Sequence, residues 1–297
     1  MQSVTPKTTR SGRILSFPPH SRRSGGAFGK IILYFLLVAL SAVYLIPFVW
    51  LLSSSLKNNA DIFLMPPKWI PDPVEWRNYF EAVTQVPYFR FVMNTLLVTF
   101  FVLLANVFVS ALVAYAFSRL KARFKNFWFV LLLSTMMLPG QVTMIPLFIM
   151  FKSLGWVDTL LPLIVPTFFG GSALYVFLIR QYFSTISLSV DDAAKIDGCS
   201  YFGTFFRILL PLSKPILITV GIFSFMGSWN DFMGPLIYLQ STDHFTLALG
   251  MNLFKTQYIQ NWNYTMAYNV LMVLPPLILF FFAQKYFIQG IVITGSK

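Results

Sequence analysis

Six long apolar runs are the feature that most constrains how this chain can fold. They lie at residues 31–52, 92–117, 127–150, 160–179, 215–239 and 264–287. A helix needs about 20 mostly apolar residues to cross a hydrocarbon core of ~30 Å, and each run meets that length. Only 11% of the 297 residues are charged, whereas soluble domains carry about 25%. The sequence therefore predicts an all-α integral membrane protein with six transmembrane helices, and it excludes a soluble enzyme or a disordered protein.

The third, fourth and sixth runs contain helix-breaking residues. These are Pro139, Gly140 and Pro146 in the third run, Gly170 and Gly171 in the fourth, and Pro275 and Pro276 in the sixth. Such breaks are tolerated at membrane depth where neighbouring helices or water satisfy the freed backbone groups. The third run could thus form a broken or re-entrant helix instead of a straight span.

The basic residues of the loops predict the orientation in the membrane. The segments 1–30, 118–126, 180–214 and the C-terminal end hold 16 of the 22 Lys and Arg residues, and the other three loops hold six. Cytoplasmic loops carry the excess of positive charge, so both termini are predicted to be cytoplasmic. The expected organisation is a cytoplasmic basic tail (1–30), a first transmembrane helix (31–52), an outer loop (53–90), a five-helix core (91–290) and a cytoplasmic C-terminal tail (291–297).

The sequence lacks the motifs of catalysis and of metal binding. The segment 25–31 resembles a phosphate loop, but it is one residue too short and has Ile31 in place of the metal-binding hydroxyl. One Cys and two widely separated His residues provide neither a disulfide nor a metal cluster. We therefore predict no catalytic residue, no cofactor and no metal in this chain. The net charge of +12 follows from the loop charges, and no nucleic acid is expected as a partner.

Polar side chains inside the runs are candidates for a substrate path. Ionisable residues are costly at membrane depth and usually face a cavity or a partner. Asp231 follows Lys214 by 17 residues, about 25 Å along a helix, which places it toward the outer end of the fifth run. The candidates for the path are Asn94, Gln141, Asn230, Asp231 and Asn269.

Each candidate also has a purely structural interpretation. Asp231 could cap a helix end near the membrane interface, and the amides, together with Asn106, could join helices by hydrogen bonds. The scarcity of acids in the runs argues against an ion-driven carrier and favours an aqueous route for a neutral polar solute.

The loop 184–213 has the pattern of two short helices joined by a glycine turn. Ser189 and Asp192 have the spacing of a capping box at the start of the first helix. Gly198 suits the position after a helix end, and Ser200 can cap the second helix. Such an ordered loop between two membrane spans is typical of a docking element, although an ordinary amphipathic loop at the interface would have similar features.

Seven residues of this loop match a known motif in type and spacing. They are Asp192, Ala193, Ala194, Gly198, Ile208, Leu210 and Pro211. The pattern resembles the EAA motif of permease subunits of bacterial ABC importers, which is Glu-Ala-Ala, three residues, Gly, nine residues, Ile, one residue and Leu-Pro. Asp192 stands where that motif has glutamate and is one methylene shorter. The resemblance implies that the loop is the coupling helix, which docks in a cleft of an ATPase subunit.

Further segments are similar to the carbohydrate branch of these importers, the maltose-transporter-like permeases. They are Trp229-Asn230-Asp231, Tyr286–Gly290 and Pro66-Pro67-Lys68-Trp69. This resemblance implies a type I (MetI-like) permease fold in a bacterial or archaeal cytoplasmic membrane. It also implies a sugar substrate, a second homologous permease, an extracytoplasmic solute-binding protein and two ATPase subunits that hold ATP and Mg. In that branch the C-terminal tail reaches toward the ATPases, and much of the sugar contact comes from the partner permease.

Other classes of protein remain open at this point. An ion-coupled secondary carrier or channel for a small polar solute would also have six apolar runs, and so would a structural membrane scaffold. Within the importer class, the sequence does not separate oligosaccharides from monosaccharides, polyols or glycerol phosphate.

Overall fold

The computed structural model describes residues 27–254 and 261–294. Within these ranges the chain forms helices and connecting segments and no strand, which confirms the all-α prediction. The α-helices of the described residues are α1 (Ala27–Ser55), α2 (Arg77–Thr84), α3 (Tyr88–Arg119), α4 (Lys125–Ser134), α5 (Gly140–Ser153), α6 (Leu161–Ile164), α7 (Ala173–Thr185), α8 (Leu188–Ile196), α9 (Tyr201–Thr204), α10 (Leu210–Leu212), α11 (Lys214–Trp229), α12 (Met233–Tyr238), α13 (Leu247–Gly250) and α14 (Trp262–Thr294).

The described part of the chain has four helices that are long and apolar enough to cross a membrane. They are Phe28–Ser55, Tyr88–Arg119, Leu161–Thr185 and Trp262–Gln284. Two bent pairs of helices raise the number to six if each pair is one span. By length and composition the predicted six spans are thus the upper limit, and the cytoplasmic position of both termini stays a prediction.

The third apolar run forms a bent pair of helices, which agrees with the predicted alternative of a broken or re-entrant helix. The helical segments Lys125–Met137 and Gly140–Ser153 meet at 96°. Pro139 stands between them in an extended conformation and lacks the N–H that would continue the first segment.

The fifth apolar run is divided, so the prediction of one helix over 215–239 was wrong. The helix α11 ends at Trp229, and α12 begins at Met233. The Asp231 carboxylate accepts a hydrogen bond from the backbone N–H of Gly234 at 3.1 Å and so favours a new helix start. At its other end, α11 meets the segment Tyr201–Leu212 at 79°.

The described residues separate into two units, 27–49 and 50–294 without 255–260. In the first unit α1 begins at Ala27, so the last four residues of the predicted tail 1–30 are helical, and its residues 1–26 lie outside the described part. At the other terminus, α14 continues to Thr294. The predicted tail 291–297 therefore begins within this helix, and its last three residues lie outside the described part.

In the second unit α3 runs through two hydrophobic clusters. The first contains Ala111, Ala114, Tyr115, Val176, Ile179, Phe183, Phe205, Leu209 and Val220. The second contains Ala82, Val86, Phe91, Trp229, Leu247, Phe254, Ala267 and Tyr268. Small residues on α3 let α7 and α11 approach closely, and the close approach increases the dispersion contacts that hold helices together in lipid. The helix α3 therefore contributes residues to both clusters.

Candidate functional site

The loop 184–213 begins with a capped helix. Ser187 is the N-cap of α8, and its hydroxyl accepts a hydrogen bond from the backbone N–H of Ser189 at 3.3 Å. The predicted cap at Ser189 was therefore wrong by two residues. Both serines precede the same acidic turn, so the local pattern alone does not separate them.

The first helix of the loop ends at a glycine, as the spacing predicts. Gly198 has φ +77°, a conformation that side chains with a Cβ rarely adopt. Its N–H donates to the carbonyl of Lys195 at 3.0 Å, and the N–H of Cys199 donates to the carbonyl of Ala194 at 2.9 Å. These two bonds form a Schellman motif, which satisfies carbonyls that the helix end would leave open.

The second part of the loop starts at the predicted cap. The Ser200 hydroxyl accepts from the N–H of Gly203 at 3.1 Å. The chain then continues through a π-helical turn at Phe205–Leu209 into α10. Of the remaining motif residues, Ala194 is buried, Ile208 and Leu210 are half-buried, and Ala193 and Pro211 are exposed.

The adjacent acids Asp191 and Asp192 lie in opposite environments. The Asp191 Oδ2 atom is 3.3 Å from Nε of Arg119 at the end of α3, and both side chains are almost completely buried. The Asp192 side chain is 70% exposed, and its carboxylate lies 3.5 Å from Lys195 Nζ. Asp191 therefore connects the loop to α3, whereas Asp192 faces solvent. The sequence singled out Asp192, whereas the role of Asp191 depends on an Arg far away in the chain.

Two residues at the end of α3 bind both sides of the loop. Arg119 Nη2 donates to the carbonyls of Phe183 at 2.9 Å and Ile186 at 2.8 Å, at the end of α7. The Tyr115 hydroxyl donates to the carbonyl of Tyr201 at 3.1 Å, at the start of α9. The loop is thus rigidly connected to α3.

A cavity of about 290 Å³ lies between α3, the segment α6–α7 and α11. Its polar lining consists of Asn106, Thr167, Ser172, Tyr175, Ser224, Ser228 and Asp231. Asp231 accepts the N–H of Gly234 and also reaches this cavity, so the capping and the lining interpretations both describe it.

The structure does not bring the five predicted path residues into one cavity. Only Asp231 lines the cavity between α3 and α11. Asn94 is buried and donates through Nδ2 to the carbonyls of Asp243 at 2.9 Å and Phe245 at 3.0 Å.

The other three candidates lie elsewhere. Gln141 is exposed at the start of α5, and Asn269 is half-buried on α14. Asn230 is exposed and donates to the carbonyl of Met226 in its own helix at 2.8 Å. The hydroxyl-bearing lining residues of the cavity were missed, because serine and threonine are common in membrane helices and give no distinct signal there.

Comparison with known proteins identifies the family. The family described as the binding-protein-dependent transport system inner membrane component matches residues 106–293, which include the whole loop 184–213. The chain belongs to this family of membrane transport permeases.

Two permease relatives extend the match over most of the chain. The probable ABC transporter permease protein YurM of Bacillus subtilis is 37% identical over 256 residues, which are 84% of this chain and 82% of YurM. The arabinooligosaccharides transport system permease protein AraQ of the same organism is 35% identical over 271 residues, which are 90% of this chain and 96% of AraQ.

A solved structure shows the same fold for this permease. It is the crystal structure of a bacterial ABC transporter involved in the import of the acidic polysaccharide alginate. The match has a TM-score of 0.76 and 23% sequence identity and covers 91% of this chain and 100% of the other. The expected type I importer fold is thereby confirmed.

Proposed function

We propose that this permease is one of two homologous membrane subunits of an ATP-driven, binding-protein-dependent sugar importer. Two ATPase subunits would bind ATP and Mg, and an extracytoplasmic solute-binding protein would deliver the sugar. Membership of the family supports the general scheme. The similarity to the arabinooligosaccharide permease AraQ supports a sugar, and among sugars an oligosaccharide.

The contrast between Asp191 and Asp192 is the observation that carries this proposal. A helix that transmits motion needs one side fixed to the membrane domain and another side open to the partner. Arg119 fixes Asp191 to α3, and Asp192 on the same helix faces solvent. A displacement of α8 by an ATPase would therefore move α3 with it, as a rigid-body transition requires.

The proposal includes the transport route and the topology. Both termini and the loop 184–213 would lie in the cytoplasm of a bacterial or archaeal cell, and the tail 291–297 would reach toward the ATPases. The route would pass the candidate residues Asn94, Gln141, Asn230, Asp231 and Asn269. Asp231 has the strongest support among them because it lines a cavity.

A charge reversal at Asp192 tests the coupling role. The variants Asp192→Lys and Gly198→Val should reach the membrane in normal amount, and sugar uptake should fall at least about tenfold. Asp192→Lys reverses the charge of the docking contact, and Gly198→Val strains the turn that shapes the loop. The matched control is Asp72→Lys, which makes the same charge change at an exposed position in the loop 53–90. Normal uptake in both loop variants would contradict the coupling role.

A second experiment separates the importer from an ion-coupled carrier or channel. The permease is purified from its native membranes in mild detergent, and its companions are identified by mass spectrometry. An ATPase and a second, similar permease are expected. Recovery of this chain alone, together with uptake driven by an ion gradient, would favour the carrier.

A further inference from the structure

Two buried polar atoms beside the cavity between α3 and α11 have no hydrogen-bond partner within the described residues. They are Asn106 Oδ1 on α3 and Ser228 Oγ on α11. The Asn106 amide is held in place, because its Nδ2 donates to Ser224 Oγ at 2.9 Å. Buried polar groups in proteins are almost always hydrogen-bonded, and an unpartnered one in a membrane domain is costly. A polar molecule in the cavity would provide the missing partners.

The lining of the cavity indicates the chemical class of that molecule. Asn106 Oδ1 can only accept, and the Ser228 hydroxyl can donate, so the pair matches a group that does both, such as a sugar hydroxyl. Among the described residues no Lys, Arg or His lines the cavity, so an anion would have no counter-charge there. Val98, Val102 and Leu163 add apolar walls, which suit the C–H faces of a sugar ring better than they suit an ion.

A glycine in α11 keeps the cavity open. A glycine inside a helix lowers helix stability relative to alanine, so its presence calls for a reason. A Cβ at Gly227 would meet no atom within 4 Å, so close packing is not that reason. Gly227 lines the cavity, and the space where its side chain would begin is open. Gly221 lies six residues earlier in the same helix, and its Cβ would be 3.8 Å from Val107 Cγ2, an ordinary contact outside the cavity.

We propose that Asn106, Ser224, Gly227 and Ser228 form a subsite for one unit of a neutral sugar within this permease. The inference rests on the proposed importer function and deepens it. This chain then binds the transported sugar itself, whereas the family resemblance alone would assign much of the sugar contact to the partner permease. The side chain of Ser228 donates to a sugar hydroxyl, Asn106 Oδ1 accepts from one, and Gly227 leaves room for the ring.

The test uses the complete transporter in proteoliposomes with its binding protein and ATP. The probes are radiolabelled arabinotriose, raffinose and maltotriose, which are neutral oligosaccharides, and the readout is sugar taken up per ATP hydrolysed. Ser228→Ala should lower this ratio about tenfold, the effect of one lost hydrogen bond. Gly227→Leu should lower it further by filling the subsite. ATP hydrolysis should continue in both variants because the loop 184–213 is unchanged.

Two matched controls separate a lost sugar contact from a folding defect. Ser110→Ala makes the same change at another buried, unpartnered hydroxyl on α3 that does not line the cavity, and Gly221→Ala adds a methyl outside it. Both should keep the ratio of the unmodified transporter. If that transporter imports sugar and both cavity variants keep its ratio, the subsite is refuted and the importer function stands. If it imports none of the probes in response to ATP, the importer function fails, and the subsite fails with it.

Discussion

The two ends of α3 hold their neighbouring loops by different chemistry. At the Arg119 end, one buried guanidinium pairs with Asp191 and donates to the carbonyls of Phe183 and Ile186 at the end of α7. At the opposite end, an exposed ion pair and several neutral groups share the task. Arg90 pairs with Asp243. Asn94 donates to two carbonyls of the segment 243–245, and Thr95 Oγ1 accepts from the N–H of Leu247 at 2.8 Å.

The difference shows how each loop can respond to force. A buried charge pair concentrates the connection in a few atoms, and removing one partner leaves an uncompensated charge. The opposite end distributes the connection over an exposed ion pair and several ordinary hydrogen bonds, each of which contributes less than a buried charge pair. In the proposed importer the Arg119–Asp191 pair lies beside the helix that the ATPases would displace, so α8 and α3 would move as one body.

The Arg90 end of α3 has additional support from a polar cluster around Asp158. This residue has φ +60°, and its Oδ1 atom accepts from the backbone N–H groups of Ser241 at 2.8 Å and Gln240 at 2.9 Å. His244 Nδ1 lies 3.3 Å from the same oxygen. The cluster joins the turn after α5 to the segment that Asn94 also binds.

The largest effect is expected for Arg119→Leu. The substitution leaves Asp191 buried without its partner and removes the donor of two carbonyls, so stability should fall by about 3–5 kcal/mol. The purified transporter is heated, and the fraction that remains monodisperse is measured. Arg123→Leu is the control, since that exposed cation lies just four residues further along.

A double variant shows whether the charge pair causes this loss. Arg119→Leu with Asp191→Leu removes the unpaired carboxylate and should recover part of the stability. Equal stability of Arg119→Leu and the unmodified protein would mean that the buried pair does not anchor the loop.

A smaller loss is expected for Asn94→Leu. Two carbonyls lose their donor, and a cost of about 2 kcal/mol follows from ordinary hydrogen-bond energies. The control Asn230→Leu removes an exposed amide that binds only its own helix and should cost less than ~0.5 kcal/mol. If Asn94→Leu instead abolishes uptake and leaves thermal stability unchanged, Asn94 serves the route and not the fold.

The sequence predicts the local turns of the loop 184–213 far better than the long-range contacts at either end of α3. The glycine turn at Gly198 and the cap at Ser200 depend on residues three to five positions apart, so the local pattern contains them. The bonds of Asn94 join residues that are 149 and 151 positions apart in the chain. The charge pair joins Arg119 to Asp191, which lies 72 positions further along. A single sequence does not state which distant groups meet. For that reason Asn94 was a candidate for the route, and Asp191 was overlooked.

Hydropathy explains why the sequence finds apolar runs but misplaces a helix end within one of them. It records whether a segment is compatible with lipid, and all six runs are. It does not record where a side chain ends a helix, so the break after Trp229 at Asp231 was missed. The bend at Pro139 was foreseen as an alternative, because proline acts through its own backbone.

The smallest effect is expected for Asp158→Asn, and its pH dependence sharpens the comparison. The N–H groups of Ser241 and Gln240 hold the pKa of Asp158 well below its usual range. A carboxyl with a lowered pKa contributes stability above its unfolded value of about 3.9, and the contribution is lost as the pH falls through the folded value. The substitution should therefore cost about 1 kcal/mol at pH 7, from one weakened set of hydrogen bonds, and no less at pH 5.

The contribution of His244 must be separated from that of the backbone donors, because its Nδ1 atom lies 3.3 Å from the same carboxylate oxygen. The thermal unfolding midpoints of Asp158→Asn and its parent are compared at pH 7 and pH 5, once in the natural chain and once with His244→Gln. In both backgrounds the difference at pH 5 should be no smaller than the difference at pH 7. A difference that shrinks by half at pH 5 in either background would mean that Asp158 titrates near neutral pH. The cluster at the Arg90 end of α3 would then be a part of the permease that responds to acid.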